Sequence, residues 1–196
     1  MSAGRLVLAS RSPRRVSLLR QIGLNPEVVP CDVSEDFDRS LSPADNARIL
    51  AMRKAEAVAA NVTDGIILGA DTIVVIDGEM LAKPLDGDDA VRMLRMLSGR
   101  THTVYTGFAL VDARSGRKLG GVEATQVTFR PMSEAEILGY VASGSPMDKA
   151  GAYGIQDDYG AVFVSRIEGC FYNVVGLPLS RVHSALREFE SQSHNA

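Results

Sequence analysis

The chain has 196 residues, of which 45% are hydrophobic and 23% are charged, and this composition is typical of a globular protein large enough to bury a core. Its formal net charge of −3 argues against non-specific binding to a nucleic acid polymer. The two cysteines lie far apart in the sequence, which predicts free thiols and no zinc site. No apolar segment has the length of a signal peptide core or a transmembrane helix, so we expect a cytoplasmic protein without a membrane partner.

The first predicted element is a buried strand that leads directly into a helix. The strand is the apolar run Leu6–Ala9, and Ser12 and Pro13 form a favourable N-cap and first helical position. Arg14 and Arg15 then stand in the first turn, where the helix dipole favours negative charge. Because these arginines oppose the dipole, we interpret the turn as a site for a strong anion such as a polyphosphate. The alternative is a solvated surface.

Helical patterns recur along the rest of the chain. They predict helices over Ser42–Asn61, Asp86–Leu97, Ser133–Val141 and Leu179–Phe189. An acidic segment, Cys31–Arg39, and a glycine-rich segment, Asp148–Asp158, are predicted loops.

Strand patterns alternate with these helices, and several of them form hairpins. The predicted strands are Glu27–Val29, Ile66–Ile76 with an interruption near Asp71, Glu79–Ala82, Thr101–Asp112, Gly120–Phe129, Val162–Ile167 and Phe171–Val175. The pattern predicts an α/β fold in which helices flank a mixed, twisted sheet, in a single domain over residues 1–196.

Two ionisable residues, Asp71 and Lys83, stand where the predicted hairpin of residues 66–82 and its continuation would normally be apolar. Asp71 stands inside an apolar run, where a carboxylate is costly unless it is paired or binds a metal, and Lys83 follows the return strand. One interpretation is a structural ion pair between Asp71 and Lys83. The other is a carboxylate that faces a cleft and holds Mg²⁺ or activates water. The residues alone leave both open.

Several other candidates are weak when each is taken alone. Glu35 lies in the acidic loop and is typical of a solvated charge unless it is a second metal ligand beside Asp71. Lys54 lies in the long helix, in a context typical of an exposed lysine. His102 is typical of a structural loop histidine.

The segment from Lys149 to Gln156 packs small residues around one lysine and one amide. Glycine allows a ligand to approach the backbone closely, and an amide can read a base edge because it both donates and accepts hydrogen bonds. A plain loop is the alternative. The sequence contains no P-loop, dinucleotide-binding or serine-hydrolase motif.

Five motifs follow one another over nearly the whole chain, and together they are more specific than any one of them. They are Leu8-Ala9-Ser10-x-Ser12-Pro13-Arg14-Arg15, Gly69-Ala70-Asp71-Thr72-Ile73-Val74 with Lys83-Pro84, Ser98-Gly99-x-x-His102-x-Val104-x-Thr106, Lys149-Ala150-Gly151-x-Tyr153-x-Ile155-Gln156, and Val174-Val175-Gly176-Leu177-Pro178-Leu179. In these motifs the chain resembles the Maf (septum formation inhibitor-like) nucleoside triphosphate pyrophosphatases, and Ala70-Asp71-Thr72 resembles their dTTP/UTP branch.

The resemblance implies a hydrolase that cleaves the α–β phosphoanhydride of dTTP or UTP and yields the nucleoside monophosphate and pyrophosphate. It implies Mg²⁺ or Mn²⁺ as cofactor, a homodimer, and two lobes around a central cleft, similar to inosine triphosphatase-like enzymes. Two alternatives remain: a pyrophosphatase for modified nucleotides such as 7-methyl-GTP, and a non-catalytic nucleotide-binding regulator of cell division.

The resemblance also assigns functions to individual residues. The expected catalytic residues are Asp71 as general base, with Lys54 and Lys83 neutralising the developing charge. The expected substrate ligands are Ser10, Arg14 and Arg15 on the phosphates, and Thr72, Lys149 and Gln156, of which Thr72 and Gln156 select the base together with Arg14. The expected metal ligands are Asp71 and Glu35.

One position departs from the family pattern. Gln156 is usually followed by glycine in this family, whereas here Asp157, Asp158 and Tyr159 follow it. The departure lies beside the expected base pocket and leaves the base preference open.

Overall fold

A computed structural model describes residues 5–156 and 159–193. The helices are α1 (Pro13–Gln21), α2 (Pro43–Ala59), α3 (Gly87–Leu97), α4 (Glu134–Ala142), α5 (Phe171–Val175) and α6 (Leu179–Ser193). The strands are β1 (Leu6–Ala9), β2 (Glu27–Val28), β3 (Ile66–Ile76), β4 (Glu79–Leu81), β5 (Thr101–Asp112), β6 (Lys118–Phe129) and β7 (Val164–Glu168). Short 3₁₀ turns lie at Ser145–Asp148, Ala150–Ala152 and Tyr159–Phe163. Asp157 and Asp158, part of the departure noted above, lie outside the described residues.

The described strands form a mixed sheet in the order β2-β1-β3-β5-β6-β7, with β4 paired to β3. β1 is parallel to both β2 and β3, whereas β4 and β7 are antiparallel to their neighbours. The predicted mixed α/β sheet with flanking helices is therefore confirmed. No helix in the described part of the chain combines the length and the apolar character needed to cross a membrane.

The chain divides into two compact units. The first unit comprises Met1–Asp71, Thr106–Glu123 and Gly176–Ala196, and the second comprises Thr72–Tyr105 and Ala124–Val175. Cys31 belongs to the first unit and Cys170 to the second, and both are free thiols, as predicted.

In the first unit, helix α2 packs on the sheet through small side chains. Its alanines join residues of β1, β3 and β5 in one buried cluster, whose members are Val7, Ala9, Ala51, Ala55, Val58, Ile67, Ala109 and Val111. Two glycines of the sheet lie directly beneath the helix backbone. A Cβ added to Gly69 would lie 2.2 Å from the carbonyl oxygen of Ala51, and one added to Gly107 would lie 2.1 Å from that of Ala47. Glycine at both positions therefore sets how closely α2 approaches the strands.

The interruption predicted near Asp71 is wrong, because β3 is one continuous strand from Ile66 to Ile76. β3 pairs with β1 as far as Gly69 and with β4 from Val74 onward. Asp71 lies between these stretches with its side chain buried. Its charge is paired inside the protein, so the strand needs no bulge to expose it.

The strand predicted for Phe171–Val175 is also wrong, because this segment is the helix α5. The Asn173 side chain donates to the carbonyl oxygen of Val104 at 3.0 Å and to Thr125 Oγ1 at 2.9 Å. These bonds anchor the segment in its helical form within the second unit. Four of these five residues are β-branched or aromatic, which favours a strand by propensity, but tertiary hydrogen bonds decide the conformation of the segment.

A substitution of Gly107 by alanine tests the close approach of α2. We expect Gly107→Ala to lower the free energy of unfolding by about 3 kcal/mol, because the added Cβ meets backbone that cannot move aside. Gly139→Ala is the matched control, since Gly139 lies inside α4 with nothing near its Cβ, and we expect it to raise the free energy of unfolding by about 0.5–1 kcal/mol. Urea denaturation measures both. Equal stability of Gly107→Ala and wild type would contradict this account of the packing.

Candidate active site

A lysine buried between two carboxylates marks the candidate site in the first unit. Lys54 Nζ lies 2.5 Å from Asp71 Oδ1 and 2.5 Å from Glu35 Oε1. Lys54 and Asp71 are only 6% and 7% exposed, whereas the Glu35 side chain is 44% exposed. The structure thus pairs Asp71 with a residue of α2, and this partner was not evident from the sequence.

The expectation of an exposed Lys54 is wrong. The buried face of α2 includes Ala47, Ala51, Lys54 and Val58, which follow the spacing of one helical face. Lys54 therefore belongs to the stripe that packs on the sheet. The sequence contained this signal, since a lysine in register with small apolar residues on a helix is turned inward with them.

The environment of Asp71 favours a basic carboxylate. Burial raises the pKa of Asp71 above its ordinary value, although the positive charges of Lys54 and Arg15 act in the opposite direction. A carboxylate with a raised pKa is a stronger proton acceptor. The site therefore contains a group suited to take a proton from water.

Ser10 and Arg15 belong to the first of the five sequence motifs, and both are buried. Arg15 Nη1 donates to Ser10 Oγ at 3.2 Å, and Arg15 Nε donates to the carbonyl oxygen of Gly176 at 2.9 Å. Burial lowers the pKa of Arg15, and the charge of Asp71 opposes that shift. A guanidinium retains its positive charge in a protein, so a buried cation remains beside the carboxylate.

Helix α1 begins where the sequence predicts, at Pro13 after Ser12. The helix has Ser12 at its N-cap and proline in its first turn, but the Ser12 side chain makes no cap hydrogen bond and the first turn has no acidic residue. Arg14 is half-buried there. The geometry therefore keeps positive charge and the positive end of the helix dipole together.

The second unit contains the remaining candidates. Lys83 is exposed just after β4, and Thr72 is half-buried on β3. The Gly151 amide donates to the carbonyl oxygen of Ala82 at 3.0 Å, which ties the Lys149–Gln156 loop to the end of β4 next to Lys83.

The two polar side chains of this loop differ in their surroundings. Lys149 Nζ donates to the carbonyl oxygen of Ser145 at 2.5 Å and to Asp148 Oδ1 at 2.7 Å, within its own segment. Gln156 Oε1 is buried and accepts no hydrogen bond from the described residues. An unpaired buried amide oxygen is costly, so this atom is a candidate acceptor for a ligand.

An aromatic cluster supports the same loop. His102 Nε2 lies 2.7 Å from Tyr153 Oη, and the Phe129 ring meets both residues edge to face. His102 lies on β5 and not in a loop, and it is 2% exposed. Burial lowers the pKa of His102 to about 4, so its ring is neutral at pH 7.

The structure brings the predicted residues together in two sets. In the first unit, Ser10 and Arg15 lie near the group formed by Glu35, Lys54 and Asp71. In the second unit, the end of β4 before Lys83 is tied to the loop that carries Lys149 and Gln156, while Thr72 stands on β3.

The carboxylates provide a donor set for a divalent cation. Within the described residues, no group of three or more His, Cys, Asp or Glu side chains is arranged to hold a metal ion. Glu35 Oε1 and Asp71 Oδ1 meet the same ammonium and are therefore at most 5.0 Å apart. Two carboxylates fit Mg²⁺, which is commonly bound by one or two carboxylates together with water and substrate phosphates.

Comparison with known proteins covers nearly the whole chain. A family model described as Maf-like protein matches residues 5–189. The chain is 48% identical to the dTTP/UTP pyrophosphatase of Carboxydothermus hydrogenoformans over 94% of its own length and 98% of that protein. It is 52% identical to the dTTP/UTP pyrophosphatase of Salinibacter ruber over 93% of its own length and 89% of that protein. A solved nucleoside-triphosphatase / dITP/XTP pyrophosphatase of Mycobacterium abscessus superposes with a TM-score of 0.39 at 18% identity, over 64% of this chain and 72% of that one.

The buried His102 predicts a specific dependence of stability on pH. Its pKa is about 4 in the folded protein and about 6.5 when unfolded, so the unfolded chain binds a proton first as the pH falls. From this group we expect the free energy of unfolding to fall by about 2 kcal/mol between pH 7 and pH 5. We expect His102→Gln to remove this part of the fall in the free energy of unfolding. Urea denaturation at pH 7 and at pH 5 measures it. His183→Gln, at an exposed histidine of α6, is the control. An unchanged pH dependence of stability in His102→Gln would contradict the assignment of this dependence to His102.

Proposed function

The chain belongs to the Maf family, and from that premise we propose that it is a pyrophosphatase that hydrolyses the α–β phosphoanhydride of dTTP and UTP. The products are the nucleoside monophosphate and pyrophosphate. The similarity to two proteins named dTTP/UTP pyrophosphatase favours this branch over a specificity for 7-methyl-GTP. The match over residues 5–189 supports one Maf domain over residues 1–196.

The observation that carries the proposal is the buried carboxylate of Asp71 beside two cations. Hydrolysis of a phosphoanhydride requires an oriented water and the neutralisation of charge, with little covalent chemistry by the protein. We assign Asp71 as the general base, because its raised pKa suits it to take a proton from the attacking water. Lys54 holds this carboxylate in place and neutralises charge as it develops.

The phosphates are assigned to Ser10, Arg14, Arg15 and the start of α1. Arg15 is held by two hydrogen bonds, so its cation is oriented before a substrate arrives. Lys83 of the second unit supplies a further positive charge. Cations in fixed positions stabilise the charge of a leaving pyrophosphate without reorganisation.

Glu35 and Asp71 are assigned as ligands of Mg²⁺ or Mn²⁺. When bound, the metal polarises a phosphoryl oxygen and adds positive charge to the site. Glu35 suits this function because its side chain reaches the buried group while it remains 44% exposed.

The base is assigned to Thr72 and Gln156, together with Arg14. Uracil and thymine present an N–H donor between two carbonyl acceptors, and an amide can match that edge by accepting and donating together. The unpaired Oε1 of Gln156 supplies the acceptor. We also propose Lys149 as a substrate ligand, although its ammonium already binds its own segment and also supports the loop. As the resemblance implies, we propose a homodimer in the cytoplasm.

The first test is pyrophosphate release from dTTP, UTP, CTP, GTP and 7-methyl-GTP with Mg²⁺ or Mn²⁺. We expect release from dTTP and UTP, and a loss of about 10³-fold in kcat for Asp71→Asn, because the variant lacks the general base. Asp64→Asn is the control, since Asp64 is a partly exposed carboxylate of the same unit that pairs with Arg5. Wild-type activity in Asp71→Asn would refute the assignment of Asp71. Nucleotide binding without release from any nucleotide would favour the regulatory alternative.

A second test addresses the metal ligand. We expect Glu35→Gln to raise the Mg²⁺ concentration for half-maximal activity by about tenfold or more, because the variant loses an anionic oxygen donor. Asp36→Asn is the control in the same loop, where Asp36 bonds to the Ser34 hydroxyl. The measurement is activity against Mg²⁺ at saturating dTTP. An unchanged Mg²⁺ requirement in Glu35→Gln would exclude Glu35 as a ligand.

A further inference from the structure

The motif Val174–Leu179 has no function in the reaction described so far, yet it contacts the candidate site directly. The carbonyl oxygen of Gly176 accepts a hydrogen bond of 2.9 Å from Arg15 Nε. Both residues belong to the first unit and are 161 positions apart in the sequence. The contact therefore exists only because the fold brings the two ends of the chain together.

This carbonyl restricts the direction in which Arg15 points. A guanidinium is planar, and its donors are fixed relative to one another. Arg15 Nε is held by the Gly176 carbonyl while Nη1 is held by Ser10 Oγ at 3.2 Å. Acceptors on two nitrogens of one plane fix the orientation of the whole group, which lies close enough to Asp71 to affect its pKa.

Position 176 requires glycine for the carbonyl to have this direction. Gly176 has a φ of +123°, a conformation that residues with a side chain rarely adopt. The following residue, Leu177, is fully buried, and the Pro178 carbonyl accepts the first bond of α6 from Val182. A residue that cannot hold this φ must shift either the chain before position 176 or the peptide that follows it, and a rotation of that peptide turns its carbonyl away from Arg15.

We propose that Gly176 is a positioning residue, whose carbonyl sets the orientation in which Arg15 binds the triphosphate of the substrate. The proposal rests on the proposed function, because it takes Arg15 as a phosphate ligand. Gly176 acts through Arg15 and touches no reacting atom.

The test is a double-mutant cycle of Gly176→Ala with Arg15→Lys. We expect each single variant to raise the KM for dTTP about tenfold and to lower kcat less than threefold, because the phosphate contact loses its orientation. The double variant is expected to show no further rise, since a lysine has no Nε–H for the carbonyl to hold. Titration calorimetry with inorganic tripolyphosphate should show the same pattern for the dissociation constant.

Gly169→Ala is the matched control. Gly169 has a φ of +126° and lies in the second unit outside the assigned residues, so we expect it to lower stability while KM and tripolyphosphate binding stay unchanged. A folded Gly176→Ala with wild-type KM, or effects that simply add in the double variant, would overturn the proposal. If Gly176→Ala does not fold, a wild-type KM in Arg15→Lys still overturns it. If the wild type releases no pyrophosphate but binds tripolyphosphate, the proposed function fails, and the calorimetric cycle still tests the positioning.

Discussion

The ammonium of Lys54 between Asp71 and Glu35 is the interaction on which the first unit depends. A carboxylate buried inside a strand would be strongly unfavourable alone, and removal of one partner from a buried ion pair typically costs about 3–5 kcal/mol. The pair thus allows β3 to run unbroken through Asp71. Burial raises the pKa of Asp71, and the Lys54 charge opposes this and favours the ionised carboxylate that can accept a proton, so one contact serves both the fold and the proposed reaction.

This pair requires helix α2 to lie unusually close to the sheet. Gly69 and Gly107 have no side chains at the points where the backbone of α2 passes, and the facing residues of α2 are alanines. A larger residue at either glycine would lift the helix and move Lys54 with it. The position of the lysine is therefore determined by glycines and alanines, which have no reactive side chains. This explains why small residues surround the charged group.

In the second unit, a backbone hydrogen bond and an aromatic cluster support the loop of the candidate site. The loop from Lys149 to Gln156 is tied to β4 by one backbone bond and rests on the ring cluster of His102, Phe129 and Tyr153. A neutral buried histidine accepts or donates one hydrogen bond without adding charge beneath the loop. Gln156 is left with an unsatisfied oxygen in a supported position, as expected for a group that recognises a ligand.

The sequence by itself determined most of the elements and their order, the α/β class and the family. Ser12-Pro13, Asp86 and Ser133 are capping signals that act over a few residues, and the helices they predict are present. Asp71 could be singled out as well, because a charge in an apolar run is visible locally. The tertiary structure decided that Lys54 is the partner of Asp71, that Phe171–Val175 is helical and that the Gly176 carbonyl orients Arg15. Each of these depends on contacts between residues far apart in the chain, and the local patterns that predict helices and strands contain no information about such contacts.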